Sequence, residues 1–279
     1  MKKVYLCAIC NVSSGNCSED CAFCTQSSFN GAEIVKYRQK EPEQILKEAK
    51  LAKKNRAVGF CLVTAGKGLN DKKLEYICQI ASKIKKSVSG LNLIACNGTA
   101  TKEQLKELKK AGIDSYNHNL ETSKEYYDKI CTTHTWQERF DTCLNIKEAG
   151  LKLCSGGIFG LGESAEDRVS FVNSLKELQP DTVPVNFFHP NPKLPLKDKI
   201  LDTDKALMLV EYVKKELPNS IVMVAGGREI TLKDRWVEIF EKGADSIVIG
   251  DYLTTAGNKP DKDLQIIEKL GYTIADNCH

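Results

Sequence analysis

Short apolar runs alternate with longer amphipathic segments along the whole chain. The apolar runs, which are rich in Val, Ile and Leu, predict eight β-strands. They cover residues 4–10, 59–65, 91–97, 115–121, 152–159, 183–188, 221–226 and 246–251. The amphipathic segments repeat apolar residues at helical spacing and predict eight helices, over 42–56, 71–87, 101–111, 135–149, 165–178, 202–217, 231–242 and 261–270. Strands and helices that alternate in this way are typical of a parallel sheet with right-handed crossovers.

The ends of the predicted helices carry a weak repeat. Gly112, Gly150 and Gly243 each follow a helical segment and come just before the next strand, where a glycine can end a helix. The chain has 279 residues, close to the roughly 250 of a (βα)₈ TIM barrel. We therefore predict an α/β fold with a single (βα)₈ barrel domain over residues 1–279, its core running from about 4 to 271. In such barrels the chemistry lies at the carboxyl ends of the strands.

Composition narrows the class of protein. Lys and Arg number 40 and Asp and Glu 37, so a net charge of +3 offers little attraction for nucleic acid or anionic lipid. No apolar run approaches the roughly 20 residues of a membrane helix, and the N-terminal apolar stretch is too short for an export signal. We expect a cytoplasmic protein that binds neither nucleic acid nor membrane. Its 12 cysteines then indicate metal or redox chemistry rather than disulfides.

Three of these cysteines stand close together after the first predicted strand. Cys17, Cys21 and Cys24 have spacings that let one loop wrap three thiolates around one centre. A structural zinc site usually needs a fourth ligand, and no fourth Cys or His lies nearby in the sequence. Cys7 and Cys10 are three apart on a strand, so they face opposite sides and chelate poorly together. Three cysteines on a 4Fe-4S cluster instead leave one iron open to a substrate or cofactor.

This C-x₃-C-x₂-C pattern, with Phe23 before the last cysteine, resembles the signature of the radical S-adenosylmethionine (SAM) superfamily. The resemblance implies a 4Fe-4S cluster held by Cys17, Cys21 and Cys24 at the barrel mouth, with SAM bound at the open iron. It also implies that the cofactor supplies the radical, so no side chain is predicted to be catalytic.

A second set of residues converges if the barrel forms. Cys61, Cys96 and Cys154 lie on predicted strands, and Arg228 follows another. From spacing alone, small buried hydrophobic residues explain the three cysteines about as well as a cluster does. The surrounding motifs favour a cluster, because they resemble the biotin synthase family over residues 4–271. These motifs are Gly59-Phe60-Cys61, Ile94-Ala95-Cys96, Lys152-Leu153-Cys154-Ser155-Gly156-Gly157, Ala225-Gly226-Gly227-Arg228-Glu229, Tyr116-Asn117-His118-Asn119-Leu120-Glu121-Thr122, Val183-Pro184-Val185-Asn186 and Leu253-Thr254-Thr255.

The resemblance implies that dethiobiotin is converted to biotin by a sulfurtransferase, with a 2Fe-2S cluster in the barrel interior as sulfur donor. Cys61, Cys96, Cys154 and Arg228 are its implied ligands. SAM contacts are implied for four residues, namely Phe23, Asn119, Glu121 and Ile158. Substrate contacts are implied for Asn117, Asn119, Asn186, Thr254 and Thr255. Glu121 stands where Asp is common in the family, and His134-Thr135-Trp136 replaces Arg-Thr-Tyr.

Further expectations concern partners and the remaining cysteines. We expect flavodoxin or ferredoxin as reductant, contact with the iron–sulfur assembly machinery, and a homodimer. Cys78, Cys131 and Cys143 fall in predicted helical stretches, where they are interpreted as small apolar residues. Three other functions remain open: a barrel enzyme like the hydrogenase maturases or methylornithine synthase, a non-catalytic iron–sulfur carrier, and a structural zinc module.

Overall fold

A closed parallel barrel forms the centre of the protein in the computed structural model, which describes residues 2–278. The strands are β1 (Lys3–Asn11), β2 (Gly59–Val63), β3 (Asn92–Cys96), β4 (Ser115–Asn117), β5 (Lys152–Cys154), β6 (Gly157–Phe159), β7 (Thr182–Phe187), β8 (Ile221–Val224), β9 (Ser246–Val248) and β10 (Thr273–Ile274). All pairs are parallel: β1 to β5 pair in order, β5 and β6 both pair with β7, and β7 to β9 pair in order. β9 pairs with β1 to close the ring, and β10 pairs with the start of β1. The predicted (βα)₈ barrel is therefore confirmed.

Within residues 2–278, eight α-helices surround the strands. They are α1 (Pro42–Lys54), α2 (Asp71–Ser87), α3 (Lys102–Lys110), α4 (Trp136–Glu148), α5 (Ala165–Leu178), α6 (Thr203–Glu216), α7 (Arg228–Leu232) and α8 (Pro260–Lys269). Thr101 and Thr135 begin α3 and α4 with reciprocal capping hydrogen bonds. The repeated glycines behave as predicted, since Gly112, Gly150 and Gly243 all have positive φ just past a helix.

The structure differs from the predicted elements around the barrel mouth. The predicted strand 152–159 is broken into β5 and β6, because the chain at Gly156 passes so close to β7 that a Cβ would stand 2.0 Å from the carbonyl oxygen of Pro184. The predicted strand 115–121 ends at Asn117, and Glu121 takes a left-handed conformation with φ of 69°. The predicted helix 231–242 is α7 followed by a 3₁₀ segment over Lys233–Phe240.

The alternation of side chains along the strands separates two buried regions. Cys10 packs in the large core between barrel and helices, whereas Cys7 points into a smaller interior group with residues of the other strands. The prediction that these two cysteines face opposite sides is confirmed. Over residues 2–278, no helix is both long enough and apolar enough to span a bilayer.

Candidate active site

Cys17, Cys21 and Cys24 lie on the loop that follows β1, at the carboxyl end of the barrel. The loop is held by Asn30, whose side-chain amide donates to the carbonyl oxygens of Cys21 (2.9 Å) and Cys24 (2.8 Å). All three thiols are free and partly exposed. Burial raises the pKa of Cys24 to about 11, so a bound metal has to displace its proton. Three free thiols on one braced loop fit a 4Fe-4S cluster that keeps an open iron.

Asp20 fastens this cysteine loop to the segment before α4. Its carboxylate accepts hydrogen bonds from the backbone amides of Thr132 (2.9 Å) and Thr133 (3.2 Å) and from both threonine hydroxyls. Burial alone raises the pKa of Asp20, but these hydrogen bonds outweigh it and hold the pKa well below its usual range. The ionised carboxylate therefore ties together two loops that are far apart in sequence.

Two residues of that segment approach the cysteine loop, which the sequence analysis missed. Cys131 lies in the loop before α4 rather than in a helix, and its Sγ stands 3.7 Å from Cys21 Sγ. His134 Nδ1 lies 3.2 Å from the same Cys131 sulfur. The hydrogen bond between the thiols raises the pKa of Cys21 and lowers that of Cys131 to about 5. The expectation that no further Cys or His lies near the loop is wrong. The one signal for this in the sequence was His134-Thr135-Trp136, which replaces the Arg-Thr-Tyr of the family.

Glu121 and Asn119 form a polar group at the end of β4. Arg139 on α4 donates to Glu121 Oε1 (3.1 Å) and to the carbonyl oxygen of Asn119 (2.5 Å), and the Asn119 amide reaches Glu121 Oε2 (3.4 Å). Burial raises the pKa of Glu121 although Arg139 opposes this shift. A left-handed non-glycine residue held by a partly buried ion pair is typical of a functional site. The group presents amide and carboxylate atoms that suit hydroxyl groups.

The glycine-rich segment after β5 lies beside this group. Ile158 on β6 donates its amide to the carbonyl oxygen of Glu121 (2.9 Å). A Cβ at Gly157 would stand 2.4 Å from that same carbonyl oxygen, so only glycine allows the approach. Glu163 fixes the following turn, because its carboxylate accepts from the amides of Gly160 and Leu161 and pairs with Arg168 (2.8 Å). The segment therefore brings Ile158 next to Asn119 and Glu121.

Cys61, Cys96 and Cys154 face the barrel interior. Cys61 and Cys154 pack with Cys7, Ile94 and Met223, and Cys96 packs against this group. The Asn117 amide donates to Cys96 Sγ (3.2 Å), which links the thiols to β4. A cavity of about 260 Å³ reaches Cys7, Cys154 and Met223 from the amino ends of the strands. The donor chemistry of this interior suits an iron–sulfur cluster.

Arg228 is the first residue of α7, and its side chain is completely buried. Its guanidinium donates to Asp263 Oδ2 (2.6 Å) and Glu229 Oε1 (2.8 Å) and lies 4.5 Å from the ring centre of Trp236. These hydrogen bonds use Nη2 and Nε, while the buried Nη1 has no hydrogen-bond partner among residues 2–278. The role of Arg228 as a ligand beside Cys61, Cys96 and Cys154 stays a prediction. Cys7 and Met223 also pack with Cys61 and Cys154.

The remaining expected contact residues are placed as follows. The Asn186 side chain donates to the carbonyl oxygen of Gly157 (3.0 Å) and accepts from the amide of Gly226 (2.9 Å), so it braces β6 against β8. Thr254 lies in the loop after β9, with its hydroxyl 2.8 Å from that of Thr25 on the cysteine loop. Thr255 neighbours it, and Phe23 packs against the large core.

Comparison with known proteins first defines the class. The radical SAM superfamily model matches residues 11–175, and the model described as the biotin and thiamin synthesis associated domain matches residues 184–273. Among solved structures, the FeFe-hydrogenase maturase HydG from Carboxydothermus hydrogenoformans superposes with a TM-score of 0.84 at 19% identity, covering 98% of this chain and 68% of that one. Methylornithine synthase superposes with a TM-score of 0.82 at 19% identity over 98% and 84%. The chain is a radical SAM barrel.

Curated relatives define the particular family. The biotin synthase of Campylobacter lari is 59% identical over 99% of this chain and 100% of its own length. That of Campylobacter jejuni subsp. jejuni is 60% identical with the same coverage, and that of Nitratiruptor sp. is 56% identical over 99% of each chain. The chain belongs to the biotin synthase family, whose members are radical SAM enzymes that insert sulfur.

Proposed function

We propose that this enzyme converts dethiobiotin to biotin with two iron–sulfur clusters, a 4Fe-4S cluster on Cys17, Cys21 and Cys24 and a 2Fe-2S cluster on Cys61, Cys96, Cys154 and Arg228. The observation that carries the proposal is the second set of thiols inside the barrel. Generation of a radical needs only the loop cysteines and SAM. A separate buried group of thiols indicates a second cluster, which suits a reaction that inserts sulfur.

The cofactors supply the radical and the sulfur when bound. The chain positions the cofactors and the substrate and shields them. Asn119 and Glu121, held by Arg139, offer acceptors and donors for the ribose of SAM, and Ile158 offers an apolar surface beside them. Asn117, with its amide directed at Cys96, occupies the border between the two thiol groups and suits the ureido ring of the substrate.

The loop after β9 closes the proposed site. Thr254 bonds to the cysteine loop, so this pair of loops covers one side of the mouth and helps to exclude water. Thr254 and Thr255 would hold the substrate carboxylate. Asn186 has both ends of its amide occupied by backbone, which supports a role in bracing the site. Its contact with the substrate is part of the proposal. The proposal also includes a low-potential flavodoxin or ferredoxin as reductant, contact with cluster assembly proteins, a homodimer and a cytoplasmic location.

The test combines spectroscopy with turnover. Anaerobic wild-type protein, reconstituted with iron and sulfide, is expected to give two Mössbauer signals and to form biotin from dethiobiotin. The variant Cys17→Ala/Cys21→Ala/Cys24→Ala is expected to keep only the 2Fe-2S signal and to form no biotin. A single cluster lost completely in this variant would contradict the proposal and favour the maturase-like or methylornithine-synthase-like alternative.

A further inference from the structure

Cys131 and His134 form, together with Cys21, a group of metal-binding side chains that the proposed reaction does not use. Their ligand atoms all lie within 4.8 Å of one another. Cys131 and His134 are both more than nine-tenths buried. Two sulfurs and one imidazole nitrogen are the ligands that Zn²⁺ and similar ions of borderline softness prefer.

The distances in this group match those around a single ion. Two thiolates bound at about 2.3 Å on a tetrahedral ion stand about 3.8 Å apart, and a thiolate and an imidazole nitrogen about 3.6 Å apart. The Cys21 and Cys131 sulfurs are separated by 3.7 Å, and Cys131 Sγ lies 3.7 Å from His134 Nε2. The Cys21 sulfur and the His134 ligand nitrogen lie within 4.8 Å of each other, so a side-chain movement of about 1 Å is enough to place all three ligand atoms on one ion.

The surroundings provide the second shell that such sites have. Glu19 Oε2 lies 2.8 Å from His134 Nδ1, so the carboxylate holds a proton there and directs Nε2 towards the ion. Asp20 Oδ1 lies 3.2 Å from Cys131 Sγ and adds negative charge. Arg139 Nη1 lies 3.1 Å from Nε2, and this hydrogen bond is lost when an ion binds Nε2. Arg139 keeps its hydrogen bonds to Glu121 and Asn119.

We propose that Cys21, Cys131 and His134 bind one divalent ion of the Zn²⁺ class when the 4Fe-4S cluster is absent. Since Cys21 serves both sites, the ion and the cluster exclude each other; only this competition rests on the proposed function. The site gives the unassembled enzyme a metal-bound form from which cluster assembly has to displace the ion. Zn²⁺ binds such ligands more tightly than Fe²⁺ and therefore delays assembly.

The test uses Co²⁺ as a visible probe for the site in the full-length chain, freed of iron by chelation and checked for folding by circular dichroism. Wild type is expected to bind one Co²⁺ with thiolate charge-transfer bands and tetrahedral d–d bands. Cys131→Ser and His134→Gln should each lose these bands, and Glu19→Gln should weaken binding by about 10–100-fold. Cys143→Ser, which alters a buried thiol on α4, is the matched control and should bind like wild type.

A pair of variants separates this site from the cluster. Cys17→Ser is expected to lose the 4Fe-4S cluster and keep one Co²⁺, while Cys131→Ser loses Co²⁺ and still assembles the cluster. The proposal is overturned if Cys131→Ser and His134→Gln bind Co²⁺ as wild type does, or if Cys17→Ser abolishes the Co²⁺ bands. Failure of the proposed function would appear instead as missing biotin with the Co²⁺ results unchanged.

A second measurement keeps the proposal testable if an iron-free variant does not fold. Cluster reconstitution is followed in the presence of increasing Zn²⁺, with iron and sulfide held constant. Wild type should lose its 4Fe-4S signal at Zn²⁺ concentrations that leave His134→Gln fully assembled. Equal sensitivity of the two proteins to Zn²⁺ would contradict the proposal.

Discussion

The two groups of thiols in this barrel are built in different ways. Cys17, Cys21 and Cys24 lie on one loop, so their spacing alone brings them together. Cys61, Cys96 and Cys154 come from three strands and meet only because the sheet closes. A local set can therefore be recognised from sequence as a metal site, whereas an interior set also depends on which neighbours the fold supplies.

The largest expected effect separates the two groups directly. In the variant Cys61→Ala/Cys96→Ala/Cys154→Ala, the interior has lost the thiols while the loop after β1 is unchanged. We expect complete loss of the 2Fe-2S signal and of biotin formation, with the 4Fe-4S cluster and the reductive cleavage of SAM retained. The measurement is Mössbauer spectroscopy together with an assay for 5′-deoxyadenosine. Loss of SAM cleavage in this variant would mean that the two groups are not independent.

The second prediction concerns Arg228, which differs from the thiols because an ion pair holds it. Arg228→Met leaves Asp263 buried without its charged partner, and we expect unfolding to become easier by about 3–5 kcal/mol. The 2Fe-2S spectrum should change as well, because the buried Nη1, which has no hydrogen-bond partner in residues 2–278, is the nitrogen left to bind iron. Urea unfolding and absorption spectra measure both quantities.

The double variant Arg228→Met/Asp263→Leu is the control for this prediction. It removes both charges and should recover much of the lost stability. A 2Fe-2S spectrum left unaltered by Arg228→Met at full folding would remove Arg228 from the proposed ligands.

Sequence reasoning was sufficient for the barrel and for the loop cysteines because both follow from local signals. Strand and helix periods, the glycines that end helices, and the C-x₃-C-x₂-C spacing are each read within a few residues. The contacts of Arg228 with Asp263 and Trp236 depend instead on the turn between β8 and α7, where Gly227 has left-handed φ, and no local pattern showed them. Cys131 was missed for a related reason: helical patterning around it concealed a loop that Asp20 draws to the barrel mouth.

The third prediction tests this connection between the loops. Asp20→Asn keeps the size of the side chain but removes the negative charge of the carboxylate, which accepts hydrogen bonds from Thr132 and Thr133. We expect a loss of about 1 kcal/mol in stability, since the site is partly exposed, and a shorter lifetime of the 4Fe-4S cluster in air. The 2Fe-2S cluster should be unaffected, which a time course of the two Mössbauer signals would measure.

The pH dependence of the Asp20→Asn effect follows from the lowered pKa of Asp20 in the folded chain. A carboxyl group with a depressed folded pKa contributes its stability above its unfolded pKa of about 3.9 and loses it as the pH falls below that value. The difference in unfolding free energy between wild type and Asp20→Asn should thus be constant near neutral pH and shrink in acid. A difference that persists at low pH would show that the charge of Asp20 is not what joins the loops.

The smallest expected effect is a change in the spectrum of the 2Fe-2S cluster that distinguishes the two faces of β1. Cys7 and Cys10 are both buried on the same strand, and desolvation raises the pKa of both thiols, that of Cys7 to about 12. Cys7→Ser and Cys10→Ser should therefore cost similar stability, about 1–3 kcal/mol each for a buried hydroxyl without a good partner. Only Cys7 packs with Cys61, Cys154 and Met223, so only Cys7→Ser should change the absorption or resonance Raman spectrum of the 2Fe-2S cluster. Identical spectra for both variants would show that Cys7 lies too far from the 2Fe-2S cluster to affect it.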